Sequence, residues 1–278
     1  MPLIPALSLP PGYRAQSEDT SPEIDWILFE RLRQLSLTER VDRYCAFNIA
    51  MRSLGVTPRT CRAVALKRLG AEWINCLKYP EAEPMILDPI AFSRKVIAIL
   101  DALQIEYYVG GSFASSIYGE SRNTRDIDFV IEINRPQVPP LVDAFLAEDF
   151  YISETAVIEA ITDPDPRKSF NVLDHRSIEK ADLFILKNEP FAYSQMQRRQ
   201  LLDLPGMPIF VCSAEDIVLQ KLVWRSSTNS TQQWQDILGV LKVQGNALDQ
   251  DYLATWATQL GVLPELNRAL QEAGFGST

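Results

Sequence analysis

The 278-residue sequence predicts an α+β protein: a small mixed β-sheet between an N-terminal helical unit and a C-terminal helical subdomain. Three observations predict it. The apolar residues recur at helical spacing early in the chain, fall into short alternating runs in the middle third, and return to helical spacing after Val211. Glycine is scarcer than proline, 12 against 18, which disfavours a glycine-rich barrel or propeller and favours helices opened by proline. With 46% hydrophobic and 23% charged residues, the chain can bury a sizeable core.

Residues 1–20 are proline-rich, lack periodicity and read as a loose lead-in. Residues 21–85 read as a helical unit. Ser21-Pro22 supplies an N-cap and a proline at the first helical position, and Trp26, Ile27, Phe29, Leu32 and Leu35 line one side. Ser36-Leu37-Thr38-Glu39 is a capping box for a second helix, expected to stop at Gly55. Thr57-Pro58 opens a third. The stretch Tyr79–Pro89, with three prolines, is the expected linker.

Residues 86–190 form the expected core. A helix runs from Pro89 to about Leu103, Glu106–Val109 is a short strand, and Gly110-Gly111 turns the chain into a helix over Ser112–Tyr118. Asp126–Ile133 alternates polar and apolar residues and is a strand; a helix follows over Val138–Ala147. Phe170–Asp174 and Lys180–Leu186 are two more strands, expected as antiparallel neighbours. In residues 191–278 a strand, Pro208–Val211, leads to a cap at Ser213. Helices then run over 214–226, 231–243, 249–260 and 264–273.

Charge and composition exclude several functions. The net charge is −9, and residues 89–190 alone carry 10 basic against 17 acidic side chains. That sign argues against a strong nucleic-acid surface. No apolar run approaches the length of a membrane span, and the N-terminus lacks a basic region ahead of its apolar stretch, so a cytoplasmic location without a membrane is expected. The four cysteines, Cys45, Cys61, Cys76 and Cys212, form no C-x-x-C pair and read as reduced thiols. A single histidine, His175, excludes a His-rich metal centre.

What remains is carboxylate and phosphate chemistry. Gly110 and Gly111 after a strand leave backbone N–H groups open, and Ser112 begins a helix whose positive end suits a phosphate. Residues two apart on a strand share a face, so Asp126 and Asp128 present their carboxylates together. Two such acids repel unless a cation lies between them, and Mg²⁺ is a natural partner. Asp182, on the next expected strand, supplies a third carboxylate, with Lys180 as a candidate ion-pair partner. Three carboxylates beside a phosphate-accepting turn suit metal-assisted nucleotidyl transfer.

Gly-Gly-Ser, then Arg122-x-Thr124-x-Asp126-x-Asp128, then the isolated Asp182, resembles the nucleotidyltransferase fold of the polymerase-beta-like superfamily. The version found here is most similar to the abortive-infection, AbiEii-type, branch, over residues 88–245. The resemblance implies a function: transfer of a nucleoside monophosphate from an NTP to an acceptor (small molecule, tRNA or protein), with Mg²⁺ or Mn²⁺ as cofactor. It implies that Gly111 and Ser112 hold the terminal phosphates, that Gly110 and Thr124 belong to the nucleotide-binding set, and that Arg122 and Arg125 are phosphate contacts of which only one need face the site. Asp126 and Asp128 would bind metal, and Asp182 would be a metal ligand or the base. Lys221 would neutralise the phosphates, and Asp236 would orient that lysine or the acceptor. A toxin role in a toxin–antitoxin pair follows from the branch alone. The alternative is a non-catalytic nucleotide-binding scaffold of the same fold, with the N-terminal helices as its protein-partner surface.

Overall fold

The computed structural model describes residues 9–17, 20–53, 89–122, 124, 126–175, 179–204 and 207–275. The expected stop at Gly55, the helix from Thr57-Pro58 and the linker as far as Asp88 lie outside the described residues. The chain forms two compact units that interleave along the sequence: Met1–Asp42 with Ala114–Ser121 and Cys212–Thr278, and Arg43–Phe113 with Arg122–Val211.

The second of these units holds the whole sheet. Its strands are β1 (Tyr107–Val109), β2 (Ile127–Ile131), β3 (Phe150–Ile152), β4 (Ser169–Asp174), β5 (Lys180–Ile185), β6 (Gln200–Leu204) and β7 (Met207–Val211). They lie in the order β3-β4-β5-β2-β1-β7-β6. The sheet is mixed: β2 pairs antiparallel with β1 and parallel with β5, and β4 pairs antiparallel with β5. β1 meets β7 in parallel through Val109 and Val211. An α+β protein with a mixed sheet is what the sequence predicts.

Apolar alternation builds this sheet. On β5, Ala181, Leu183 and Ile185 are buried while Lys180, Asp182 and Phe184 are partly exposed, the period of two that a pleated strand imposes. Phe129, Ile131, Val172 and Leu183 are fully enclosed. The helices numbered here in chain order start with α1 (Pro22–Gln34), α2 (Leu37–Ser53), α3 (Pro89–Ala102) and α4 (Gly111–Tyr118). They continue with α5 (Val138–Ala147), α6 (Glu154–Thr162) and α7 (Pro190–Arg198). α5 packs on β3 and α6 on β4. An aromatic cluster seals that end: Phe145 meets Phe150 edge-on with ring centroids 5.4 Å apart, and Phe92 lies 6.0 Å from Phe150.

Four elements, β3, α6, α7 and β6, escape the sequence reading. β3 has three residues, too few for a period to declare itself. β6 pairs antiparallel with β7, from Gln200 opposite Val211 to Leu204 opposite Met207. The same pair joins the sheet of residues 107–185.

The other unit is helical: α1, the first turn and a half of α2, most of α4, and α8 (Ala214–Thr228), α9 (Thr231–Gln244), α10 (Gln250–Gln259) and α11 (Leu263–Glu272). α1 starts where the sequence signals, with the Ser21 side chain accepting from the Ile24 N–H and proline at its first turn. Phe29 and Leu32 of α1 pack against Val243 of α9. Gly119, after α4, has no side chain because a Cβ would come within 2.7 Å of the Val240 backbone nitrogen.

A buried ion pair ties α1 to α9. The Lys242 ammonium, fully enclosed, donates to Asp25 Oδ2 and to the Arg14 carbonyl, each at 2.6 Å, and sits 4.5 Å from the Tyr13 ring centre. Asp25 also accepts from the Tyr13 hydroxyl and the Gln16 backbone N–H. Burial lowers the proton affinity of Lys242, and Asp25 opposes that fall. Removing one partner strands the other charge in the core. Asp25→Ala should therefore cost about 3–5 kcal/mol in urea unfolding; a loss under about 1 kcal/mol would mean that the pair is incidental.

Candidate active site

The turn from β1 into α4 brings a backbone loop against the acidic strand. Gly110 donates its N–H to the Asp128 carbonyl at 2.9 Å. Gly111 opens α4 with φ +55°, a conformation that side chains resist. Its missing Cβ matters more: an atom there would lie 1.6 Å from Asp128 Oδ2. The Asp128 carboxylate thus packs directly on the glycine, and no other residue fits. Ser112 follows, in the first turn of an eight-residue helix, at the positive end of its dipole.

The carboxylates are set by register. Asp128 on β2 and Asp182 on β5 are direct partners across a parallel pair, and Asp182 is the partner of Asn171 on β4. One row across three strands therefore reads Asp128, Asp182, Asn171. Asp126 sits one residue ahead of β2, partly exposed like Asp128.

A lysine stands among these acids. Lys180, two residues before Asp182 and so on the same face, places its ammonium 2.9 and 3.2 Å from the two Asp182 oxygens. The same ammonium lies 3.8 Å from Asp126 Oδ2. Asn171 donates its side-chain amide to Asp182 Oδ1 as well. Burial raises the Asp182 carboxyl above its ordinary pKa; Lys180 pulls it down, Asp126 adds to the rise, and Asn171 opposes it.

The loop ahead of β2 is held from an unforeseen direction. Asn48, fully buried on α2, accepts from the Thr124 N–H at 3.0 Å and donates to the Arg122 carbonyl at 3.3 Å. Its amide also donates to the Tyr44 carbonyl one turn back. The Thr124 and Ser112 hydroxyls are hydrogen-bonded to each other, and the Thr124 hydroxyl donates to the Asp126 carbonyl at 3.3 Å. Tyr44 packs edge-on against Phe113, centroids 5.2 Å apart. Helix α2 thereby steadies both the glycine turn and the approach to the acidic strand.

The structure thus gathers Gly110, Gly111, Ser112, Thr124, Asp126, Asp128 and Asp182, with the Arg122 backbone, in one unit. Arg125 lies outside the described residues. Lys221 and Asp236 belong to the helical unit, where they meet as a buried ion pair, Nζ to Oδ2 2.8 Å. Gln233 accepts a second hydrogen bond from Lys221, and Gln232 donates to the other Asp236 oxygen.

The donor set suits a divalent cation by its chemistry: three carboxylates offer hard oxygens, and a cationic ammonium already stands between two of them. It is not a finished cage. Among the described residues, no group of three or more His, Cys, Asp or Glu side chains is placed to hold a metal ion.

No family model matches the chain, and no curated protein does. Solved structures resemble it in part. The solution structure of the antibiotic-resistance factor ANT(2'')-Ia is 12% identical with TM-score 0.43, covering 64% of this chain and 95% of that one. An antigenic nucleotidyltransferase-like protein from Paracoccidioides brasiliensis is 17% identical with TM-score 0.41, covering 67% and 93%. ANT(2'')-Ia in complex with adenylyl-2''-tobramycin is 15% identical with TM-score 0.41, covering 67% and 98%. At these identities and TM-scores the likenesses assign no activity. Among the described residues, no helix is long and apolar enough to cross a membrane.

Two substitutions test the geometry. Gly111→Ala combines a positive φ with overlap on Asp128 and should lower unfolding stability by about 1–3 kcal/mol. Asn48→Leu keeps the volume but removes the hydrogen bonds to the Thr124 N–H and the Arg122 carbonyl, a loss of about 1–3 kcal/mol. Chemical denaturation checks both; wild-type stability in either variant would contradict the contacts described.

Proposed function

We propose that the chain is a divalent-metal-dependent nucleotidyltransferase of the polymerase-beta-like kind, moving a nucleoside monophosphate from an NTP to an acceptor hydroxyl. One observation carries the reading: Asp128 and Asp182 are register partners on parallel strands, and the Asp128 carboxylate packs on the glycine of a strand-to-helix turn. A phosphate-accepting turn and a pair of metal-binding carboxylates need to be that close for one cation to touch both protein and triphosphate.

In this reading the Gly110–Ser112 turn, with the Gly110 N–H already held by the Asp128 carbonyl, presents Gly111, Ser112 and the start of α4 to the β- and γ-phosphates. Arg122 and Arg125 add positive charge, and Thr124 keeps Ser112 oriented. Asp126, Asp128 and Asp182 hold Mg²⁺ or Mn²⁺, which when bound neutralises the phosphates and polarises the α-phosphorus. The acceptor oxygen attacks the α-phosphorus in line; a P–O bond forms on one side, the bond to the β-phosphate breaks on the other, and pyrophosphate leaves. Asp182 is either a third ligand of that ion or the carboxylate that receives the acceptor's proton. The protein's contribution is position and charge rather than covalent chemistry. The sequence resemblance alone gives Lys221 to the phosphates and Asp236 to orienting that lysine or the acceptor. An AbiEii-type toxin role remains part of the proposal on the sequence motif alone.

Incubation with each NTP, Mg²⁺ and a cell extract as acceptor source should release pyrophosphate. Asp128→Asn should lower that release about 100-fold or more while leaving the circular dichroism spectrum unchanged. Stabilisation by NTP and Mg²⁺ without product would instead support a nucleotide-binding scaffold, and undiminished activity in Asp128→Asn would remove that residue from the catalytic set.

A further inference from the structure

The acidic row poses an electrostatic problem that the chain solves in an unexpected way. Asp128 and Asp182 are register partners beside the glycine turn, and a side-chain cation, the Lys180 ammonium, stands between Asp182 and Asp126. Lys180 reaches both oxygens of Asp182, at 2.9 and 3.2 Å, and stands 3.8 Å from Asp126 Oδ2. Asp182 Oδ1 is engaged twice, by Lys180 and by Asn171. Its lone pairs are therefore directed at donors within the sheet.

A divalent ion needs those same oxygens at about 2.0–2.1 Å for Mg²⁺. An ammonium on Asp182 and a dication on Asp182 would be like charges a few ångströms apart, so they exclude each other. Lys180 has the means to withdraw. Its stem is a flexible four-carbon chain, and its side chain is 25% exposed, so it has solvent to move into.

We propose that Lys180 is an internal counter-cation that competes with the divalent ion for Asp182 and Asp126, and so sets the metal concentration at which the site becomes competent. The proposal rests on the nucleotidyltransferase reading of these carboxylates and deepens it. Without metal, Lys180 keeps the acidic row from repelling itself; with metal, it gives way. It is a positioning residue, acting on the carboxylates rather than on substrate.

Mn²⁺ binding to the full chain without nucleotide, followed by electron paramagnetic resonance, tests this directly. Lys180→Met removes the competitor at similar volume and should tighten the Mn²⁺ dissociation constant about tenfold. Lys180→Arg keeps a cation and should leave binding close to wild type. Lys168→Met removes an exposed positive charge that pairs with Glu159 and should also leave it unchanged, which separates local competition from net charge. Thermal unfolding without metal should show Lys180→Met melting earlier than wild type, a readout that holds even if metal binding is altered. Equal Mn²⁺ affinity in wild type and Lys180→Met, or equal tightening in Lys168→Met, overturns the competition while leaving the nucleotidyltransferase reading standing. Absence of Mn²⁺ binding in wild type and Lys180→Met, with NTP present as well as absent, overturns both.

Discussion

Like charges held side by side are the constraint on which the site depends. Neighbouring strands in a sheet run about 4.8 Å apart, so register alone brings Asp128 and Asp182 together. No rearrangement of rotamers removes that proximity without breaking the sheet. The fold must therefore supply compensating charge and hydrogen-bond donors, and it does so from three directions: the Lys180 ammonium on the same strand as Asp182, the neutral Asn171 amide donating from the next, and the positive end of the α4 dipole at Gly111. The glycine follows from the same constraint, because a carboxylate needs the room that a Cβ would fill.

Much of this was readable from the residues themselves. β1, β2, β4, β5 and β7 show their strands through β-branched and aromatic runs or strict alternation, and their helices announce themselves with Ser–Pro and Ser-x-x-Asp caps. The pairing of Lys180 with Asp182 is also a local matter, since residues two apart on a strand share a face. Other features have no local signature. Asn48 reaches Thr124 across 76 positions of sequence, and a polar residue in mid-helix says nothing about which distant loop it will clamp. The pair of β6 and β7 is similar: the strand Pro208–Val211 is visible in the sequence, but the parallel seat of β7 beside β1 rests on the single register pair Val109 with Val211.

The helical unit follows a different electrostatic economy. Its two buried lysines each have a carboxylate at hydrogen-bond distance: Lys221 with Asp236 and Lys242 with Asp25. Ion pairs so enclosed contribute less to stability than to arrangement, because desolvation offsets much of the attraction. In Lys242 the arrangement is plain, since its ammonium also caps the Arg14 carbonyl and fixes residues 13–16 beside α1 and α9. The early helices accordingly belong to two units: α1 is anchored in the helical one, while the later part of α2 brings Asn48 to the glycine turn.

The account's central claim is that Asp128 and Asp182 share a cation with a triphosphate lying on the Gly110–Ser112 turn. Diffraction from crystals soaked with Mn²⁺ and a non-hydrolysable NTP, recorded at a wavelength where manganese scatters anomalously, tests this most directly. The account predicts an anomalous peak bonded to both carboxylates, with phosphate oxygens over the turn and the Lys180 ammonium moved off Asp182. Triphosphate bound elsewhere, or manganese away from the two aspartates while Lys180 keeps its place, would contradict it.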